Sequence, residues 1–310
     1  MNSLTGIIPP RADIEQRAQA VLLGSAVGDA LGATTEFMNP AQIREEFGVH
    51  KDIVGGGWLN LNPGQVTDDT EMTLCVARAI AAKGEWDLVG IADRFAQWLE
   101  GNPVDVGSTC RRGIERYNAM RQLQVPPGRK DAGNGAAMRM APVALFSIGN
   151  EERMARLALE QARLTHNHPF SDAACITVGI MIQWGILGYP ERMLRSVANE
   201  LVDRHPEFEF RFEEYGGGAT AYVVDTMRTV LDAFFTTDGF EDCLVKTVNR
   251  GDDADTTASI AGAIAGARYG LEAIPSRWLS ALDPALRNEL SQLALRLVDL
   301  SPLFSGKREP

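Results

Sequence analysis

Apolar residues recur along this chain at spacings of three and four with few interruptions, the period of a helix that buries one face. The pattern predicts helices over 13–32, 40–47, 69–83, 87–100, 109–123, 136–148 and 151–165. It continues over 171–187, 190–204, 218–236, 238–249, 256–270 and 283–299. Gly84, Gly101, Pro126–Pro127, Gly149, Pro169 and Gly188 supply stops between them. Alternation of the strand kind is confined to Phe208-Glu209-Phe210-Arg211-Phe212, and one short strand makes no sheet. Gly55–Gly57 and Gly216–Gly218 read as loops, and no repeat of fixed period is visible. The expected fold class is all-α, a multi-helix bundle forming a single domain over 1–310, with roughly the first 12 and last 8 residues as tails.

Two of the helices carry glycine stripes. Gly24, Gly28 and Gly32 fall four apart, as do Gly262, Gly266 and Gly270. Residues four apart share a helix face, so each stripe lets another backbone approach closely. In lipid such stripes join membrane helices. Asp29 and Arg268 on these segments point instead to tight packing in a water-soluble core. A third segment, Ala173 to Pro190, runs 18 residues without a charge. It contains Thr177, Gln183, three glycines and a closing proline, and it has no second such run as companion. A central buried helix is expected there, not a membrane span.

Composition adds bounds. The chain has 310 residues, 45% hydrophobic and 23% charged, the balance of a folded protein. Its formal charge of −11 and the lack of any basic run argue against nucleic-acid binding, which relies on lysine and arginine displacing counterions. Cys75, Cys110, Cys175 and Cys243 show no C-x-x-C spacing and read as reduced, core-filling thiols. The N-terminal MNSLTGIIPPRADIEQ has no basic region followed by an apolar stretch, so the expected location is the cytoplasm.

Four motifs carry candidate chemistry. Thr67-Asp68-Asp69-Thr70-Glu71 stands where a Pro-Gly loop enters a helix. Asp68 and Glu71 have the spacing of a capping box, so a structural cap competes with a chemical role. Gly251-Asp252-Asp253-Ala254-Asp255-Thr256-Thr257 opens a second helix. A cap needs one acid, and three within four residues repel unless a cation sits among them. Together the two motifs supply an all-oxygen donor set that suits Mg²⁺ or Mn²⁺ better than Zn²⁺. Gly133-Asn134-Gly135 precedes an expected helix, a junction whose backbone N–H groups suit a phosphate, although Asn134 could equally be an ordinary cap. No P-loop or Rossmann fingerprint occurs. Thr165-His166-Asn167-His168-Pro169 holds two of the four histidines and reads as a ligand-positioning element or a turn.

These pieces together resemble the ADP-ribosylglycohydrolase family along nearly the whole chain. The resemblance rests on GSAVGDALGATTEF (24–37), TDDTEM (67–72), PVDVGSTC (103–110), GNGAAMR (133–139), THNHPFSDAA (165–174) and GDDADTTASIAGAIAGARYG (251–270). It implies an all-α bundle with a binuclear metal cleft holding two divalent cations, Mn²⁺ or Mg²⁺. Carried over by motif, the metal ligands are Thr67, Asp68, Asp69, Asp253, Asp255 and Thr256. Asp252 stands where the family's G-G-D-x-D-T has its second glycine. Glu36 matches the acid that ends the G-D-A-L-G motif. Asp105 and Gly107 match the piece lining the ribose pocket, Gly133, Asn134 and Gly135 the diphosphate loop, and His166 the T-H-x-H element.

The implied activity is hydrolysis of the N-glycosidic bond between ADP-ribose and a protein arginine, through an oxocarbenium-like state. Asp69, Asp105 and Glu36 are the candidate proton-transfer acids, unranked by sequence. Within the family the resemblance is to bacterial members acting on dinitrogenase reductase, the nitrogenase iron protein, which implies that protein as substrate and a PII-type regulator as a partner. A two-metal phosphohydrolase of a nucleotide diphosphate would use the same acids and loop. A non-enzymatic helical scaffold would lack the ligands, and here every matched ligand position is filled.

Overall fold

The computed structural model describes residues 8–129 and 131–306. The first seven and last four residues, which hold most of the expected tails, lie outside that range. Among the described residues there are fifteen α-helices, two single turns of 3₁₀ helix and no strand beyond isolated bridges. They are α1 (Arg11–Gly32), α2 (Pro40–Phe47), α3 (Asp68–Lys83), α4 (Leu88–Glu100) and α5 (Ser108–Met120). Next come α6 (Ala141–Phe146), α7 (Glu151–Ala162), α8 (Pro169–Ile186), α9 (Glu191–Arg204) and α10 (Val223–Phe235). The last are α11 (Phe240–Val248), α12 (Ala254–Tyr269), α13 (Ser276–Ala281), α14 (Pro284–Leu300) and α15 (Pro302–Ser305). The all-α class is as the periodicity predicts.

Helix α12 is the centre of the bundle. Every residue from Ala254 to Ala267 is buried, as expected of a helix surrounded by others. It packs against α1, α8, α10 and α11. The glycine stripes explain how α1 meets it. A Cβ on Gly24 would lie 2.5 Å from the Gly262 carbonyl oxygen, and one on Gly28 would lie 2.0 Å from that of Ala258. A Cβ on Gly32 would fall 2.4 Å from the Ala254 oxygen, and one on Gly266 2.2 Å from that of Ala20. The pairings step forward along α1 as they step back along α12, so the helices run antiparallel with backbones in contact. The Ser25 and Ser259 hydroxyls, 2.7 Å apart, satisfy each other inside this seam.

The uncharged segment forms most of α8, whose Gln183 side chain is buried and donates to the Ala144 carbonyl. No helix among the described residues is long and apolar enough to cross a membrane. All four cysteines are buried and unpaired, and burial pushes their thiols up to about 11 or 12. They fill space and are not poised as nucleophiles.

Two expectations are corrected. The helix predicted over 136–148 is only Ala141–Phe146, because Asn134 to Arg139 form turns instead. The Asn134 carbonyl accepts from both Ala137 and Met138, and the Arg139 guanidinium reaches back to the Gly135 carbonyl. The alternating Phe208–Phe212 piece is not a strand; it opens with a 3₁₀ turn at Pro206–Phe208. Its rings join an aromatic cluster in which Phe210 and Phe212 both meet Phe235. The period of two there serves burial of rings with no strand to pair against.

The seam gives a prediction. Gly28→Ala places a methyl group inside the Ala258 carbonyl and should lower stability by about 3 kcal/mol or more in thermal or urea melts. Gly216→Ala, where a Cβ would meet nothing within 4 Å, should change stability little. Equal melting of the two variants would show that the seam tolerates a wider spacing.

Candidate active site

The α1–α12 pairing decides which loops meet. The C-terminal end of α1 lies against the N-terminal end of α12, so residues that follow Gly32 face those that precede Ala254. Helix α3 begins at the same end, packed on both. The result brings seven carboxylates together: Asp29, Glu36, Asp68, Asp69, Asp105, Asp253 and Asp255. They surround the floor of a cleft of about 590 Å³. Glu36, Asp68, Asp105, Gly107, Gly133, Asn134, Gly135, His166, Asp253, Asp255 and Thr256 all border it. Thr67 and Asp69 lie fully buried behind this surface.

Neither acidic motif caps its own helix with a side chain. Thr67 is the N-cap of α3 and Asp253 that of α12, and neither makes a side-chain capping bond. The capping-box partner Glu71 instead accepts from the Trp98 indole. Thr67 donates its hydroxyl to Asp29 Oδ1 at 2.9 Å, and its Oγ1 lies 3.4 Å from Asp255 Oδ2. Thr256 donates across to Asp69 Oδ2 at 3.0 Å, so the two motifs touch. Asp68 accepts from the Gly107 amide at 3.0 Å, and Asp253 from the Asn134 side-chain amide at 2.9 Å. The acids are thus turned inward from five separate parts of the chain.

The electrostatics are those of a site built for cations. None of the described ion pairs involves any of the seven acids. Asp69 Oδ1 is buried with no hydrogen-bond partner. Oxygens of Glu36, Asp253 and Asp255 lie within 4.8 Å of one another. Burial is the first cause that raises each carboxyl: Glu36 to about 8, Asp68 to about 7 and Asp29 to about 6. Asp69 is pushed well up by burial and then by the charges of Asp29, Asp68 and Asp253, and Asp255 by burial and then by those of Asp69, Glu36, Asp253 and Asp29. An orphaned buried carboxylate oxygen and an uncompensated all-oxygen donor set fit one or more hard divalent cations.

Sequence reasoning missed several residues that hold this arrangement. Asp29 accepts four bonds, from the amides and hydroxyls of Thr67 and Thr70, and so fixes the start of α3. Its sequence signal is its place as the acid of Gly28-Asp29-Ala30-Leu31-Gly32, next to a glycine of the stripe. Arg139 is fully buried over the Phe95 ring and binds Gln161, the Gly135 carbonyl and Thr165 Oγ1. Thr165 Oγ1 accepts from Arg139 and is hydrogen-bonded to His166 Nδ1, 2.8 Å away, which fixes the orientation of the ring. Burial and the nearby arginines lower the His166 pKa well below its usual value. His166 is then neutral, with its Nε2 edge beside Gly133. The second histidine, His168, accepts from the Phe170 amide and caps α8.

Asp252 adopts a left-handed backbone, φ 52°, a conformation glycine takes without strain. What the carboxylate adds is a clamp: its Oδ2 accepts from the Ala219 amide at 3.2 Å, while the Asp253 amide donates to the Ala219 carbonyl. These bonds hold the wall that carries Ala221 and Tyr222. The Asn134 amide donates to Ala221, so in this loop that N–H is already engaged.

Comparison with known proteins follows the same outline. Residues 10–305 match the pattern of the ADP-ribosylglycohydrolase family. The chain is 50% identical, over 94% of its length and 98% of the relative's, to the ADP-ribosyl-dinitrogen reductase glycohydrolase of Rhodospirillum rubrum. It is 32% identical to the ADP-ribosylarginine hydrolase Tri1 of Serratia proteamaculans, over 94% of this chain and 82% of that one. A solved structure described as an ADP-ribosylglycohydrolase-related protein complex superposes with a TM-score of 0.83 at 34% identity, covering 93% of this chain and 99% of the other. The match runs from before α1 to the end of α15 and takes in the glycine seam and both acidic motifs; the chain belongs to the ADP-ribosylglycohydrolase family.

Proposed function

We propose that this enzyme hydrolyses the N-glycosidic bond between ADP-ribose and an arginine side chain of a protein, releasing ADP-ribose and restoring the arginine. The observation that carries this reading is the convergence of seven carboxylates, unbalanced by any described ion pair, on one cleft. The cleft lining also offers the Gly133–Gly135 turn and the neutral His166 ring for a diphosphate and ribose. Thr67, Asp68, Asp69, Asp253, Asp255 and Thr256 would hold two divalent cations, Mn²⁺ or Mg²⁺, with Glu36 close enough to share in the set. When bound, such cations supply positive charge that orients ribose hydroxyls and polarises water.

The three candidate proton-transfer acids separate by position. Asp69 is fully buried behind the cleft surface, which suits a ligand. Glu36 is tied to the Trp58 indole and shares the oxygen cluster with Asp253 and Asp255. Asp105 borders the cleft, stands outside that cluster and accepts only from its neighbouring Val106 amide. Burial and then the charge of Asp253 raise its pKa above the usual carboxylate range, the direction that favours a proton-donating acid. We therefore assign proton transfer to Asp105. Dinitrogenase reductase is the acceptor protein we propose, supported by the name of the Rhodospirillum rubrum relative.

The decisive experiment incubates the enzyme with arginine-ADP-ribosylated dinitrogenase reductase and Mn²⁺ and identifies the product. Free ADP-ribose with unmodified arginine is expected, and chelation should abolish its release. AMP with ribose phosphate would assign a phosphohydrolase instead.

Substitution separates ligands from caps. Asp69→Ala and Asp253→Ala should each lower turnover on the order of a hundredfold or more, as loss of other preorganised electrostatic groups does. Metal-free melting should stay level or rise, because packed negative charge is relieved. Near-normal turnover with a melt lowered by about 1 kcal/mol in both conditions would return them to capping.

The raised carboxyls also set a pH dependence. Their folded pKa values lie above the unfolded ones, so the folded state holds protons that the unfolded chain has lost. That stability is fully present below about pH 4 and is lost as pH rises through about 6 to 8. Metal-free melting temperature should therefore fall across that interval, and added Mn²⁺ should raise it more at about pH 8 than at about pH 5. A Mn²⁺ effect that does not grow with pH would show that these acids do not bind it.

A further inference from the structure

Large apolar side chains that remain exposed are few among the described residues, and several of them stand at the mouth of the cleft. Phe37 is 65% exposed and Trp58 54% exposed, and their rings lie 5.2 Å apart. The pair is held firmly. Trp58 follows three left-handed glycines, and Gly57 is pressed so closely on the end of α1 that a Cβ would lie 2.4 Å from the Ala33 carbonyl oxygen. The Trp58 indole donates to Glu36 Oε2 at 2.5 Å. The Phe37 amide donates to the Asp252 carbonyl at 2.6 Å. Phe37 itself has φ 61°, a left-handed conformation that is strained for a bulky side chain. Strained backbone of this kind collects at functional sites. Here it presents a large ring to water beside the acid cluster, where folding alone gains nothing from it.

We propose that Phe37 and Trp58 are a docking rim for the acceptor protein, packing on apolar side chains that flank its modified arginine. The proposal rests on the reading of the cleft as an ADP-ribosylarginine hydrolase site. Covalent continuity fixes the occupant. The bond to be cut must lie by the carboxylates, and Phe37 follows Glu36 directly in sequence. With ADP-ribose inside the cleft, the arginine and the protein that carries it leave through the mouth past these rings. The rings are uncharged, so they let the −11 chain meet an acceptor surface without depending on its charge. Aromatic anchors of this kind dominate the energy of many interfaces. The enzyme then distinguishes a protein-borne ADP-ribosylarginine from the free conjugate.

The test compares two substrates, arginine-ADP-ribosylated dinitrogenase reductase and free ADP-ribosylarginine. Phe37→Asn suits the left-handed backbone and removes the ring, so it should melt no lower than the native chain. It should lower kcat/KM for the protein substrate about tenfold more than for the free conjugate. Trp58→Phe keeps a ring but loses the bond to Glu36, so its losses should be nearly equal for both substrates. Equal losses with Phe37→Asn would overturn the proposal and place the ring on the nucleotide. No loss on either substrate would overturn it too, as would a concentration-dependent dimer that Phe37→Asn abolishes while the substrate ratio stays native. Failure of the native enzyme to cleave either substrate would instead strike the underlying activity.

Discussion

Everything at the site depends on how closely α1 and α12 approach. Two helices normally stand apart by the thickness of their side chains. Here glycine on one meets carbonyl on the other along about two and a half turns, from Gly24 to Gly32 against Gly262 to Ala254. Because the pair is antiparallel, the closeness is felt at the end where α1 finishes and α12 starts. Asp29 and Glu36 are thereby placed among Asp253, Asp255 and the start of α3. A wider seam would leave the same residues in the same order with their oxygens out of reach of one another.

Such a gathering of acids works against folding. Each carboxylate is taken out of water beside others of like charge, and burial alone raises every one of them. Two devices limit the cost. Asp29 is satisfied by four protein donors from Thr67 and Thr70, so one acid is spent on structure. The others share hydroxyl, amide and backbone donors but leave Asp69 Oδ1 with none. Protonation can relieve that oxygen, and so can a cation. The large apolar core, with α12 buried along nearly its whole length, provides the stability that makes this tolerable.

Much of the frame was legible because it is written in local patterns. The windows of α1, α8 and α12 are long and largely apolar, and the glycine stripes of α1 and α12 announce the close seam. The acidic motifs were legible because their carboxylates are neighbours in sequence. What escaped was decided by partners far away. The turn at Asn134–Arg139 replaces a helix because buried Arg139 is drawn to Gly135, Gln161 and Thr165. Phe208–Phe212 resembles a strand because its rings alternate, yet Phe208 packs on Phe170 and His205 while Phe210 and Phe212 pack on Phe235. Asp29 and Trp58 look ordinary in sequence, and only the fold sets one beneath α3 and the other on Glu36. The short helices α13 and α15 were unpredicted, being too brief for a periodic signal.

The clamp at Asp252 links two things that are usually considered apart. Ala219 is held on both its amide and its carbonyl by the Asp252–Asp253 segment, and two residues further on its loop becomes the wall of the cleft. That wall therefore has no independent hinge at this point. An outward displacement of the wall is transmitted to the backbone of Asp253, and a shift of Asp253 is transmitted to the wall. The placing of the wall and the placing of the Asp253 backbone are thus mechanically joined, so the loop that shapes one side of the cleft is also a support of the acid cluster.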